Sequence, residues 1–159
     1  MPESYILMEV DNVVYAVPSE QVLRVEMVET ITRVPNAPEF VEGVVSARNQ
    51  VIPVISLRKR FRLPPAEKNM RTRMIIVRIE GRAGERQVGM IADSAREFIQ
   101  IDAEQVRPVP DGLTGPGVLY LEGVATLPRG LVLIINLTRL LTEGERDTLQ
   151  EENALPAAK

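Results

Sequence analysis

The sequence predicts an all-β protein made of two similar small units in tandem, and three features of it lead there. First, a stretch is written twice: residues 40–61, FVEGVVSARNQVIPVISLRKRF, recur at an offset of 80 as YLEGVATLPRGLVLIINLTRLL at 120–141. The two copies share Glu42/Glu122, Gly43/Gly123, Val44/Val124, Ile55/Ile135 and Leu57/Leu137, and self-similarity at a fixed spacing is the mark of repeated structural units. Second, 45% of the 159 residues are apolar but only 4% are aromatic, so Val, Ile and Leu must fill the core, and these side chains suit strands. Third, the apolar runs are short and punctuated by 12 Pro and 10 Gly. About five such strands per unit are too short for one broad sheet. Small closed barrels answer this best, because closure removes exposed edges.

In chain order, Tyr5–Val10 and Val13–Val17 predict a hairpin turning at Asp11-Asn12, which Pro18 ends because it lacks a ladder donor. Ser19 and Glu20 suit a single helical turn. From Gln21 to Met27 the chain alternates, placing Leu23, Val25 and Met27 on one face if it is extended, with a helix over part of 19–25 the alternative. Residues 30–38, TITRVPNAP, read as a fixed loop, since each Pro forces extended backbone before it. The first repeat copy then predicts strand, turn at Asn49-Gln50, and strand. Pro53 argues that the second of these strands lies at an edge or a bulge. Ser56 is a good N-cap for a short helix over 57–61.

The second unit repeats the scheme. Met74–Ile79 and Gln87–Ala92 are strands about a Gly81–Gly84 turn, and Phe98–Ile101 is a further apolar segment. Asp102 and Glu104 suit a helical turn, and 111–117, DGLTGPG, a mobile loop. The second copy turns at Arg129-Gly130, and Asn136 caps a short helix over 137–143. Residues 144–159 read as a polar, partly disordered tail. The domain reading is one module over 1–143, with a first barrel mainly over 5–62, a second mainly over 70–136, and terminal elements free to exchange between them.

Composition narrows the chemistry. With no Cys and no His, disulfides, thiol catalysis and the commonest metal ligands are absent. A net charge of −3 gives no general attraction to nucleic acid or anionic membrane, and no apolar run is long enough to cross a bilayer. There is no nucleophile elbow or phosphate loop, and Gly81-x-x-Gly84 lacks the rest of a phosphate-binding fingerprint. Asp93 follows a strand and reads as a turn former rather than an acid. The chain is therefore read as a non-enzymatic binding module that uses no metal or cofactor.

Two features suggest where it binds. Arg48 stands beside the repeat's turn where the second copy has Pro128, so the two units differ there. Its fork of five donors suits a carboxylate or a cluster of carbonyls, while the plain alternative is an Arg that solubilises a hairpin tip. The other feature is the run Arg58, Lys59, Arg60, Arg62, Lys68, Arg71 and Arg73 against Glu67 alone. It is either a solvated linker or a face that meets an acidic partner; without interleaved aromatics, nucleic acid is the weaker reading.

The span from about Tyr5 to Leu141 resembles the CheW family of bacterial chemosensory adaptors. The resemblance rests on Tyr15-Ala16-Val17-Pro18 with Val22, on Ile31–Pro38 leading to Phe40 and Gly43, and on Arg48, Pro53-Val54-Ile55 and Leu57-Arg58 before Phe61. In the second half it rests on Ala103–Pro108, Tyr120-Leu121, Gly123 and Asn136-Leu137. It implies two tandem five-stranded SH3-like β-barrels packed through an apolar seam, and no catalysis. It implies a cytoplasmic adaptor at the membrane-associated receptor array, with no direct membrane insertion. Such an adaptor couples the cytoplasmic tip of methyl-accepting chemoreceptors to the regulatory domain of a CheA-type histidine kinase, and so controls autophosphorylation. Weak self-association or ring assembly is also allowed, and the alternative output is a chemosensory-like pathway serving surface motility or development. Carried onto this chain, the coupling residues are Arg48, Val22, Gly43, Asn49 and Val34, with Arg58, Lys59, Arg60 and Arg62 a partner-facing basic patch. Asn49 stands where the family usually has Gly, and Ser56 where it often has Asp.

Overall fold

The structure, a computed structural model, describes residues 2–81, 84–113 and 115–143. The tail at 144–159 lies outside the described residues, as do two positions of the Gly81–Gly84 turn and one of the 111–117 loop. Eleven strands form two sheets among the described residues. They are β1 (Glu3–Val10), β2 (Val13–Pro18), β3 (Val22–Glu26), β4 (Val41–Ala47), β5 (Gln50–Ser56), β6 (Arg73–Gly81), β7 (Gly84–Ala92), β8 (Ser94–Ile101), β9 (Val106–Arg107), β10 (Leu121–Leu127) and β11 (Gly130–Ile135). The five-stranded sheet runs β3-β6-β7-β5-β4 and the six-stranded one β8-β1-β2-β11-β10-β9. The N-terminal hairpin thus joins the second repeat copy, through a parallel pairing of β2 with β11. The first copy joins β7, likewise in parallel. Neither strand order closes on itself among the described residues, so two β-rich sheets are established, without a closing pair in either among those residues.

Burial on both faces explains why several strands read as continuous apolar runs rather than alternating ones. Tyr5 and Leu7 of β1 point into a core inside the six-stranded sheet, while Met8 and Val10 point the other way. In β6, Met74 and Ile76 face a core inside the five-stranded sheet, and Ile75, Val77 and Ile79 face away from it. The outward sets of both sheets meet in a third core, where Met8, Tyr15 and Val17 pack with Ile55, Ile75 and Val77.

The duplication is visible in hydrogen bonds. Ser56 N donates to Phe40 O and Asn136 N to Tyr120 O, each at 2.8 Å. Both helix caps form: Ser56 Oγ accepts from Lys59 N ahead of α1 (Leu57–Arg60), and Asn136 Oδ1 accepts from Arg139 N ahead of a π-helical turn at Arg139–Glu143.

Three local expectations are corrected. The repeat turns are centred one residue earlier, on Arg48-Asn49 and Pro128-Arg129, because Ala47 pairs with Gln50 and Leu127 with Gly130. Pro53 is not on an edge strand, since β5 lies between β4 and β7. It is tolerated because the β5–β7 ladder begins only at Val54, and its partner Val44 spends both backbone groups on Thr32. Finally, the 111–120 region contains a 3-10 helix at Pro116–Tyr120, a turn that the Gly- and Pro-rich sequence conceals.

Candidate partner-binding surface

The β4–β5 hairpin presents the residues singled out at its tip. Arg48 and Asn49 both adopt left-handed backbone, with φ of 50° and 67°, as a two-residue turn matched to strand twist requires. Asn accepts this conformation easily and Arg does not. The second copy has Pro128 here, whose ring forbids positive φ, and places it at Gly130 instead (φ 127°). Arg48 and Asn49 are exposed, and among the described residues the Arg48 guanidinium has no hydrogen-bond or ion-pair partner. Val51, on the same hairpin, is 71% exposed.

Gly43 sits beneath, buried in β4 with φ 146°. A Cβ there would collide with the carbonyl oxygen of Thr32. The backbone that approaches Gly43 is therefore the protein's own, because Thr32 N donates to Val44 O at 2.9 Å and Val44 N to Thr32 O at 2.8 Å. This bridge seats the loop carrying Val34, which is 44% exposed beside a turn with Asn36 at φ 60°. Gly43, Val34, Arg48 and Asn49 thus belong to one hairpin and the loop clamped to it.

Val22 stands elsewhere. It opens β3, at the opposite end of the strand order, and packs half-buried against the core between the sheets. Its exposed neighbours Leu23 and Val25 on that edge strand, with Met27 just past its end, form an apolar stripe. The alternation of residues 21–27 was the sequence signal for this stripe.

The basic run is largely committed within the molecule. Arg58 donates to Asp93 from Nε and Nη2 at 2.9 and 2.7 Å and to Pro64 O from Nη1 at 2.8 Å. Lys59 pairs with Glu42 at 2.9 Å. The Arg60 guanidinium lies over the rings of Phe40 and Tyr120, 4.9 and 4.6 Å from their centroids, and its Nε donates to Leu140 O. Arg62 is exposed, in left-handed backbone at φ 61°. The Arg58 bonds hold the Asp93 carboxyl below its ordinary range, with burial opposing them and the Asp11 amide assisting.

These pairings bear on chemistry too. A cleft of about 350 Å³ is lined by Glu42, Glu67 and Asp93 together with Arg58, Lys59 and Lys68. Two of its three carboxylates, Glu42 and Asp93, are bound to Lys59 and Arg58. Among the described residues no group of three or more acidic side chains is placed to hold a metal ion, and no helix is long and apolar enough to cross a membrane.

Relatives place this surface in context. Residues 4–145 match the family model described as a CheW-like domain. The chain is 30% identical to the chemotaxis protein CheW of Bacillus subtilis over 97% of its own length and 93% of that protein's. It is 25% identical to the chemotaxis protein CheW of Klebsiella aerogenes, over 90% and 84%, and 29% identical to the protein FrzA of Myxococcus xanthus, over 87% and 85%. The crystal structure of the scaffolding protein TtCheW from Thermoanaerobacter tengcongensis superposes with a TM-score of 0.79 at 33% identity, covering 88% of this chain and 92% of that one. Such domains are non-enzymatic adaptors. With nearly its whole length matched, from the N-terminal hairpin to the last helical turn, the chain belongs to the CheW-like family of chemosensory adaptors.

Proposed function

We propose that this chain couples the cytoplasmic tip of chemoreceptors to the regulatory domain of a CheA-type histidine kinase, in the cytoplasm at a receptor array, and so governs kinase autophosphorylation. One observation carries the reading: an exposed Arg48 without a partner is held in unfavourable backbone at the tip of a hairpin otherwise anchored by paired strands. Strain of this kind persists where the surroundings impose it, often at binding sites. The hairpin already fixes the backbone that carries the guanidinium, so binding a carboxylate or carbonyl cluster costs side-chain freedom but little backbone freedom. Asn49 shares the hairpin tip with Arg48, the Thr32–Val44 bridge ties the Val34 loop to the same hairpin, and Arg62 is a further exposed cation whose side chain has no partner among the described residues. The apolar stripe Leu23, Val25 and Met27, with Val22 behind it, suits the apolar face of a helical receptor tip.

Residues 1–143 act as one module in which each sheet curls into an SH3-like barrel, drawing strands from both halves of the chain. The ion pair of Glu97 on β8 with Arg129 at the β10–β11 tip, 2.7 Å long, supports the curl, because β1 and β2 separate those strands in the sheet.

The test is titration of the chain with the kinase regulatory domain and the receptor-tip fragment separately. Both should bind at roughly 10 μM or tighter. Arg48→Glu should weaken coupling while stability stays within about 0.5 kcal/mol of wild type. Arg48→Gly, which relieves the backbone strain, should lose binding and yet be no less stable. Binding of neither partner by the wild-type chain would end the proposal.

A further inference from the structure

The basic run that the sequence singles out ends in a turn that neither the adaptor face nor the Arg58 network uses. Met70 stands at its apex and is 85% exposed, more than any other large apolar side chain among the described residues. A single apolar side chain in water is common on protein surfaces; what sets this one apart is its place at the apex of a loop that is tied down. Asn69 N donates to Thr72 Oγ1 at 2.9 Å, Arg71 N to Asn69 Oδ1 at 2.8 Å, and Thr72 N to Asn69 O at 3.2 Å. Arg73 closes the turn from outside, its Nη1 donating to the carbonyls of Met70 and Thr72 at 2.8 Å each. Thr72 is buried, so the base of the turn is anchored in the fold.

Charge surrounds the knob. Lys68 is exposed, with no partner among the described residues. Arg71 is 72% exposed, and its one ion pair among the described residues, to Glu9, is long at 3.8 Å. Neither cation is neutralised as Arg58 and Lys59 are.

We infer that the Asn69–Arg73 turn is a docking knob for a partner protein whose surface offers an apolar socket rimmed by carboxylates. Met70 fills the socket and Lys68 and Arg71 face the rim. A turn already fixed by hydrogen bonds loses little conformational freedom on docking, and a thioether adapts to sockets of irregular shape. A protein is favoured over an anionic membrane because the chain's net charge is −3 and a single rigid knob lacks the apolar stripe of an interfacial helix. The inference stands beside the adaptor reading: the Arg48 hairpin and this turn are separate elements.

The experiment places a photoreactive benzophenone amino acid at position 70 of the full chain in cells, with mapping of the adduct. The expected result is a discrete protein adduct whose cross-linked segment carries an apolar residue flanked by carboxylates. Its yield should fall roughly tenfold in a Lys68→Glu, Arg71→Glu background and hold in an Arg48→Glu background. An adduct with lipid alone, with a second copy of this chain alone, no discrete adduct, or a yield indifferent to charge reversal overturns the inference. If the adduct forms as expected while the purified chain ignores both kinase domain and receptor tip, the knob stands and the adaptor reading falls.

Discussion

Arg58 and Asp93, 35 positions apart in the chain, meet through two hydrogen bonds of 2.9 and 2.7 Å. Arg58 lies on the helix between β5 and β6 of the five-stranded sheet, and Asp93 lies where the chain passes from β7 in that sheet to β8 in the other. The same carboxylate accepts from the Asp11 amide at 2.8 Å, at the tip of the N-terminal hairpin. Three segments therefore share one fork-to-fork pair, geometry that favours Arg over Lys.

The pair makes stability depend on pH in a defined direction. The Asp93 carboxyl is held below its usual value, first by the Arg58 hydrogen bonds. A carboxyl depressed on folding contributes fully above its unfolded pKa, about 3.9. That contribution disappears as pH falls through the folded value. Asp93→Asn should lower the thermal midpoint at neutral pH, with the gap to wild type closing below about pH 4. A gap that stays constant across acid titration would contradict this. At the other extreme, burial and then Glu3 push Tyr5 up to about 12. Its contribution is whole below its unfolded value near 10 and is lost as pH rises through about 12, so Tyr5→Phe should be the less alkali-sensitive chain.

Gly43 and Gly123 are repeat equivalents, yet the same substitution should cost them differently. At Gly43 the φ of 146° disfavours any side chain, and the added Cβ meets a backbone carbonyl that cannot rotate away. At Gly123 the nearest atoms are Val106 Cγ1 at 2.9 Å and Arg107 O at 3.0 Å, without the unusual backbone. Gly43→Ala should lose about 1–3 kcal/mol in urea denaturation, with Gly123→Ala less affected. Hydrogen exchange at the Thr32 and Val44 amides should speed up in Gly43→Ala. Amides that remain protected would mean that the loop tolerates the intrusion.

How far these relationships could be read beforehand follows from their range. The 80-residue repeat, both N-caps, the Asp11-Asn12 turn and the Pro18 stop are local patterns, and all appear in the structure. The pairing of β2 with β11 depends on which apolar faces meet across more than a hundred residues, which no local pattern encodes. The turn at Arg48-Asn49 was missed by one position because it requires an Arg in left-handed backbone, against intrinsic preference. The basic run at 58–62 read as one surface because sequence shows charge but not partners; Asp93, Glu42 and the two aromatic rings become partners only once the sheets pack.

Ile55 and Ile135 occupy equivalent places in the duplicated strands, and both face the core between the sheets. Truncating either to Ala removes three methyl-sized groups from a site walled by strands of both sheets. Each should cost about 2–5 kcal/mol, and because they share one core the double variant should depart from additivity. Independent losses that sum cleanly would indicate two separately packed units.

Arg60 breaks the internal symmetry at the point where the two copies touch. Its equivalent 80 residues on is Leu140, and Arg60 Nε donates to that residue's carbonyl at 3.3 Å, while Phe40 and Tyr120, themselves equivalents, receive its guanidinium on their rings. Arg60→Leu makes the two copies alike. It keeps apolar packing between the rings while removing both cation–π contacts and the hydrogen bond, for an expected loss of about 1–2 kcal/mol. Arg60→Lys should recover only part of it, since a compact ammonium cannot lie flat against two faces at once. Placing Arg60→Leu in a Phe40→Leu, Tyr120→Leu background isolates the ring contribution. If the loss is as large without the rings as with them, the guanidinium is held by the Leu140 carbonyl alone.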